Sequence, residues 1–126
     1  WSIVHGAIDY LSEKDFVTFN FEKGLHTAQV RHNDTNGVQV PRTTLAEIRQ
    51  RHNLSLPFQL VADIEGAEIG LLIHEDLSMC RRMIIELHQH SYAGRLYQPD
   101  DCLDILTADH GFRLEASHGD THFLTR

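Results

Sequence analysis

Four side chains that could carry acid–base or metal chemistry lie at the ends of two apolar runs. Asp63 and Glu65 end one run, and Glu86 and His88 end the next run along the chain. Carboxylates and an imidazole can act as a general base, hold a metal ion, or bind the hydroxyl and amino groups of a substrate. If the two runs are parallel strands, their carboxyl ends share the sheet edge where open α/β folds bind ligands. We therefore take these four residues as the candidate site.

Two of the acidic residues in this region also have an interpretation that involves no chemistry. Glu65 and Glu68 fall where a helix is expected to begin, and negative charge in a first helical turn is favoured by the helix dipole. For Glu68 we favour this interpretation. For Asp63, which ends the apolar run itself, a functional role is the better explanation.

The same region also permits a metal-binding or hydrolytic domain. Glu86, His88 and His90 alternate, so on one strand they would face the same side and could converge on an ion. Oxygen-rich ligation would favour magnesium or manganese, and several imidazoles would favour zinc. The candidate ligands of such a site are Asp63, Glu65, Glu86, His88, His90, His118 and His122.

The elements that position these residues predict an α/β fold in a single domain that covers residues 1–126. Short β-branched and aromatic runs predict strands at 2–9 and 15–21. Turn formers predict a loop over 22–37, and a brief extended piece follows at 38–41.

A strand, a helix and a second strand then form the centre of the predicted fold. A helix capped by Thr43 or Thr44 should run to about His52, and Glu47 gives Thr44 the spacing of a capping box. The apolar composition of 57–63 is typical of a strand buried on both faces. With a helix over 64–73 and a strand over 83–88, it predicts a parallel βαβ unit.

The C-terminal third of the chain should end in an antiparallel hairpin. A loop is predicted over 89–97, followed by a helix that Pro99 opens and that ends near Gly111. Two short strands, at 112–116 and 122–125, are then joined by a tight turn.

Composition restricts the class of partner. Eighteen Asp and Glu against eleven Lys and Arg give a formal charge of −7, which opposes binding to nucleic acid. No apolar run approaches the roughly 20 residues of a membrane span. Cys80 and Cys102 have no CxxC spacing and lie in or beside apolar segments, which indicates buried free thiols and a cytoplasmic location.

The segment from Leu60 to Glu68, LVADIEGAE, resembles a family signature in which a hydrophobic strand ends in Asp-x-Glu-Gly-x-Glu. The family is that of the FkbM S-adenosylmethionine-dependent methyltransferases. The resemblance covers roughly 38–125, and the early strand at 4–8 is similar to the family strand just before it. Three further segments resemble the neighbouring family segments in order and spacing, namely 40–48, 84–88 and 104–112.

The resemblance implies a Rossmann-like methyltransferase sheet that transfers a methyl group from S-adenosylmethionine to a hydroxyl of a small molecule or sugar. Asp63 and Glu65 then match the acidic positions of the family near the active cleft. We expect Asp63 to lie close to the methionine end of the cofactor, and Glu65 and His88 to face the acceptor substrate. Because the ordinary pKa of histidine suits proton transfer near neutral pH, His88 is the expected general base.

The sequence departs from the family pattern at its N-terminal side. The family's glycine-rich turn and ribose-binding acidic residue would both precede Trp1, and Gly6 and Gly24 stand alone without GxG spacing. We therefore expect an incomplete sheet that binds the cofactor weakly or not at all. A non-catalytic fragment that self-associates is the remaining alternative, with a homo-oligomer formed through exposed strand edges at 4–8 and 60–63.

Overall fold

The computed structural model describes residues 3–20, 29–31 and 37–126, and these form a mixed α/β protein. The strands of its first sheet are β1 (Ala7–Ile8), β2 (Phe16–Asn20), β3 (Gln29–Arg31) and β4 (Val38–Thr43). They lie in the order β1-β4-β2-β3. β1 pairs with β4 in parallel, and the other two pairs are antiparallel.

The second sheet positions the candidate site. Its strands are β5 (Phe58–Ala62), β6 (Cys80–Glu86), β9 (Arg113–His118) and β10 (Thr121–Thr125), and they lie in the order β5-β6-β10-β9. Since β5 and β6 are parallel and the helix α2 (Glu68–His74) connects them, the predicted βαβ unit is confirmed. The predicted C-terminal hairpin is also confirmed, because β10 pairs antiparallel with β9.

Two further α-helices lie in the described ranges. Helix α1 (Leu45–Arg51) begins with the predicted capping box, in which the Thr44 hydroxyl accepts from the Glu47 amide at 3.2 Å. The Glu47 carboxylate accepts in return from the Thr44 amide at 3.0 Å. Helix α3 (Pro99–Asp104) opens at Pro99 as predicted and continues as a π-helical segment over Ile105–Asp109.

The core lies on one face of the second sheet. Met83, Ile85 and Leu124 are fully buried together with apolar residues of α2 and α3. Val61 is paired with Ile84 on the opposite face and is 75% exposed. The prediction that this strand is buried on both faces is therefore wrong, because only one face of the sheet carries the buried core in the described part of the chain.

Three predictions of local structure need correction. Within the described part of the strand expected at 2–9, only Ala7–Ile8 are extended as a strand, and residue 2 lies outside the described residues. The loop expected over 22–37 contains β3, and residues 22–28 and 32–36 lie outside the described residues. The loop expected over 89–97 contains a hairpin of β7 (His90–Tyr92) and β8 (Arg95–Tyr97). Its turn residues Ala93 and Gly94 both have positive φ, as a type I′ turn requires, although alanine rarely signals such a turn.

Both strand edges predicted to be exposed lie at the border of a sheet. β1 borders the first sheet, where it pairs with β4, and β5 borders the second. A homo-oligomer built on these edges stays a prediction, as does the Rossmann-like arrangement.

Cys80 and Cys102 are free and buried, as expected. No helix in the described ranges is long and apolar enough to cross a membrane.

The capping box gives a test of the fold. We expect Thr44→Ala to lower the free energy of unfolding by about 1 kcal/mol, because the α1 N-terminus loses a side-chain acceptor. Urea denaturation measures the change. Ser55→Ala, at an exposed position beyond the end of the same helix, serves as the control. Equal stabilities of the two variants would contradict the capping role.

Candidate active site

The site begins at the turn that follows β5. Glu65 and Gly66 adopt positive φ values of 50° and 99°. A Cβ atom at Gly66 would lie 2.6 Å from His90 Nδ1, so the position has no room for a larger residue. Glu65 occupies a left-handed conformation that non-glycine residues adopt at a cost, and such conformations cluster at functional sites. The turn carries the chain from the end of β5 to the start of α2.

His88 lies at the centre of a group of carboxylates. Its Nδ1 atom is 2.9 Å from Glu68 Oε1, and its Nε2 atom is 3.5 Å from Glu86 Oε1 and 4.0 Å from Glu65 Oε2. Atoms of Asp63, Glu65 and His88 that could bind a metal ion all lie within 4.8 Å of one another. The structure therefore brings together the four residues that the sequence placed at the two strand ends.

Glu68 is the residue whose importance the sequence analysis underestimated. It lies in the first turn of α2 as expected, but its side chain is only 1% exposed and contacts His88. Its Oε2 atom is buried and has no hydrogen-bond partner in the described part of the chain. A signal for this burial was present, since Leu71 and Leu72, three and four positions further on, are buried on the same helix face.

The electrostatic surroundings of His88 act in two directions. Burial favours the neutral imidazole and by itself lowers the pKa of His88. The hydrogen bond to Glu68 and the negative charges of Glu68, Glu65 and Glu86 together outweigh burial, so the pKa of His88 is raised above its ordinary value near 6.5. Since its side chain is 28% exposed, the ring is accessible to a small molecule.

The other histidines proposed as ligands do not join this group. β6 ends at Glu86 and His90 begins β7, so the expected alternation of Glu86, His88 and His90 along one strand is wrong. His90 packs against Gly66. His118 is exposed at the end of β9, and His122 is buried in β10 with its Nδ1 atom 2.9 Å from Ser117 Oγ.

A small cleft beside the site was not foreseen. Residues 8–11, which follow β1, face the turn residues 64–67 across it, and His90 and Tyr92 also line it. Its cavity volume is about 30 Å³, enough for one or two water molecules. No local pattern could reveal the cleft, because its walls come from segments that are far apart in the sequence: the end of β1, the turn after β5 with α2, and β7.

These features define an α/β protein with an acidic, histidine-centred site at the carboxyl ends of two parallel strands. The chain belongs to the methyltransferase FkbM domain family, whose model matches residues 3–114. The match confirms the family resemblance and extends it over the N-terminal sheet, whereas the final hairpin lies largely beyond it. No curated protein and no solved structure shows a significant match to the chain.

The family implies a cofactor, S-adenosylmethionine, and the described residues suit one end of it. The exposed carboxylates of Asp63 and Glu65 complement the positive charge at the methionine end. The neighbouring cleft of about 30 Å³ is far smaller than the roughly 300–1,000 Å³ of a typical ligand pocket and does not enclose a nucleoside. The donor set thus fits the methionine end only.

The raised pKa of His88 predicts how stability depends on pH. Because the folded-state pKa lies above the unfolded value, the stabilisation is fully present below about pH 6.5 and is lost as pH rises through the folded pKa. We expect Glu68→Gln to lower the pKa of His88, since a hydrogen-bonded negative charge is removed. Titration of the His88 ring by NMR measures its pKa in the unaltered chain and in Glu68→Gln.

Glu13→Gln is the matched control for this titration. It also removes one negative charge, but Glu13 is exposed and is not among the charges that act on His88. An equal change in the His88 pKa in both variants would show that net charge, rather than the local contact, sets its value.

Proposed function

We propose that this chain contributes to an S-adenosylmethionine-dependent O-methyltransferase that acts on a hydroxyl group of a small molecule or sugar. The observation that carries the proposal is the convergence of His88 with the carboxylates of Glu65, Glu68 and Glu86, in a chain of a methyltransferase family. When bound, S-adenosylmethionine supplies an electrophilic methyl group, so the protein must orient the acceptor and remove its proton.

Each residue then has a defined task. The Nε2 atom of His88 accepts the proton of the acceptor hydroxyl, because Nδ1 is engaged by Glu68. Glu65 lies near the same nitrogen and orients the acceptor substrate by accepting a hydrogen bond from a second hydroxyl or amino group of that substrate. Asp63 faces the positive charge at the methionine end of the cofactor.

The proposal predicts a charge-dependent preference between cofactor and product. We expect weak binding, roughly millimolar, because the cleft beside the site is small. S-adenosylmethionine should bind about fivefold more tightly than S-adenosylhomocysteine, since a sulfonium about 4 Å from a carboxylate in water gains about 1 kcal/mol. NMR titrations of the labelled chain with each compound measure the two affinities and show whether the amides of residues 63–66 shift.

Asp63→Asn should remove the preference for the sulfonium, while Asp109→Asn, which changes an exposed residue of the π-helical segment, should keep it. Micromolar binding of both compounds with equal affinity would contradict this account of the site. The lack of any shift at millimolar cofactor would contradict cofactor binding by this chain.

A second candidate function is the binding of a divalent cation. The specific observation is the approach of Asp63, Glu65 and His88 within 4.8 Å of one another, with Glu86 also close to His88. We propose that an ion held there would be magnesium or manganese, because carboxylate oxygens dominate the donor set. Such a site could support hydrolytic chemistry or coexist with methyl transfer.

Titration with Mn²⁺ tests this candidate directly. We expect paramagnetic broadening of the amides at 63–66 and 86–88, with loss of at least tenfold in affinity in Glu65→Gln because one anionic ligand is neutralised. Glu13→Gln should bind the ion like the unaltered chain. Uniform weak broadening over all acidic surfaces would contradict a defined site.

A further inference from the structure

The buried Glu68 carboxylate is assigned no contact with substrate or cofactor in the reaction proposed above, although it makes the shortest contact of His88 with a carboxylate in the described chain. We infer that Glu68 is a positioning residue that holds the His88 ring through Nδ1 and thereby makes Nε2 the functional nitrogen. The inference rests on the proposed function insofar as His88 is the functional imidazole of the site.

The chemistry of the contact determines which nitrogen remains available. In this inference the Glu68 carboxylate accepts the 2.9 Å hydrogen bond, and His88 Nδ1 carries the proton that it donates. In the neutral ring the lone pair then resides on Nε2. That nitrogen is the one that approaches Glu65 and Glu86, on the side where Asp63 also lies. One buried hydrogen bond therefore selects the tautomer and the direction of the free nitrogen.

The backbone on both sides of the contact is fixed by packing. Glu68 begins α2, where the next residue, Ile69, is almost fully buried, and Leu87 immediately before His88 is fully buried in the same core. Helix α2 also packs against α3, whose Cys102 is buried in the same core. A carboxylate held in this way has little freedom to follow a moving imidazole, so the imidazole takes its orientation from the carboxylate.

A purely structural role explains the residue poorly. Burial of a carboxylate is unfavourable, and the Oε2 atom gains no hydrogen bond in the described ranges to offset it. An apolar side chain of similar size would commonly be as stable or more stable at such a position. The contact with His88 is what Glu68 provides and leucine would not.

The tautomer of His88 can be measured on the intact chain by NMR of ¹⁵N-labelled histidine in alkaline buffer, where the ring is neutral. We expect the Nδ1–H form in the unaltered protein and its retention in Glu68→Gln, because the amide oxygen can still accept from Nδ1–H. Glu68→Leu should convert His88 to a mixture in which Nε2–H predominates. If methyl transfer is detected, Glu68→Leu should lower kcat by about 10- to 100-fold and leave KM nearly unchanged.

Glu75→Gln provides the matched control, since Glu75 is also buried and stands at the other end of α2, where it binds Tyr10 and Ala46. It should lower stability without any change in the His88 tautomer. An Nε2–H form in the unaltered chain, or an unchanged tautomer in Glu68→Leu, would overturn the inference. The tautomer of His88 in the unaltered chain can be measured even if no variant folds. It tests the role of Glu68 even where neither cofactor binding nor methyl transfer is detected.

Discussion

The hydrogen bond between Glu68 and His88 is the contact on which the candidate site depends. Glu68 lies in the first turn of α2, and His88 lies two residues after the end of β6. The Glu68 side chain is almost fully buried. A buried carboxyl group needs a partner, and in the described part of the chain that partner is His88, whose ring also lies beside Asp63 and Glu65. The start of the helix and the end of the strand are therefore linked by a single interaction.

A second buried carboxylate holds the two sheets together. Glu75 Oε1 accepts hydrogen bonds from the Tyr10 hydroxyl at 2.8 Å and from the Ala46 amide in the first turn of α1 at 3.0 Å. The Tyr10 ring also stacks on His74, whose Nε2 atom lies 2.6 Å from the Tyr92 hydroxyl. The two ends of α2 are thus each tied by a glutamate, one to the site and one to the N-terminal sheet.

The acidic surroundings of His88 shape the chemistry that the site could perform. The same charges that raise its pKa keep the imidazole protonated at a higher pH, which reduces the fraction available as a base near neutrality. They also favour neutral or positively charged ligands over anionic ones. A hydroxylated acceptor and a sulfonium cofactor are compatible with this field, and so is a divalent cation.

The sequence by itself determined the three helices, the central parallel strands and the edge of the sheet at which the site lies. The capping box at Thr44, the βαβ unit and the final hairpin follow from patterns within a few residues. The motif around Asp63 identifies the family. Only the tertiary structure decided that Val61 is exposed, that residues 89–97 form a hairpin, and that Glu68 turns inward to His88. The physical reason is that local patterns encode backbone conformation, whereas the burial of a charged or apolar side chain depends on which distant segments pack against it.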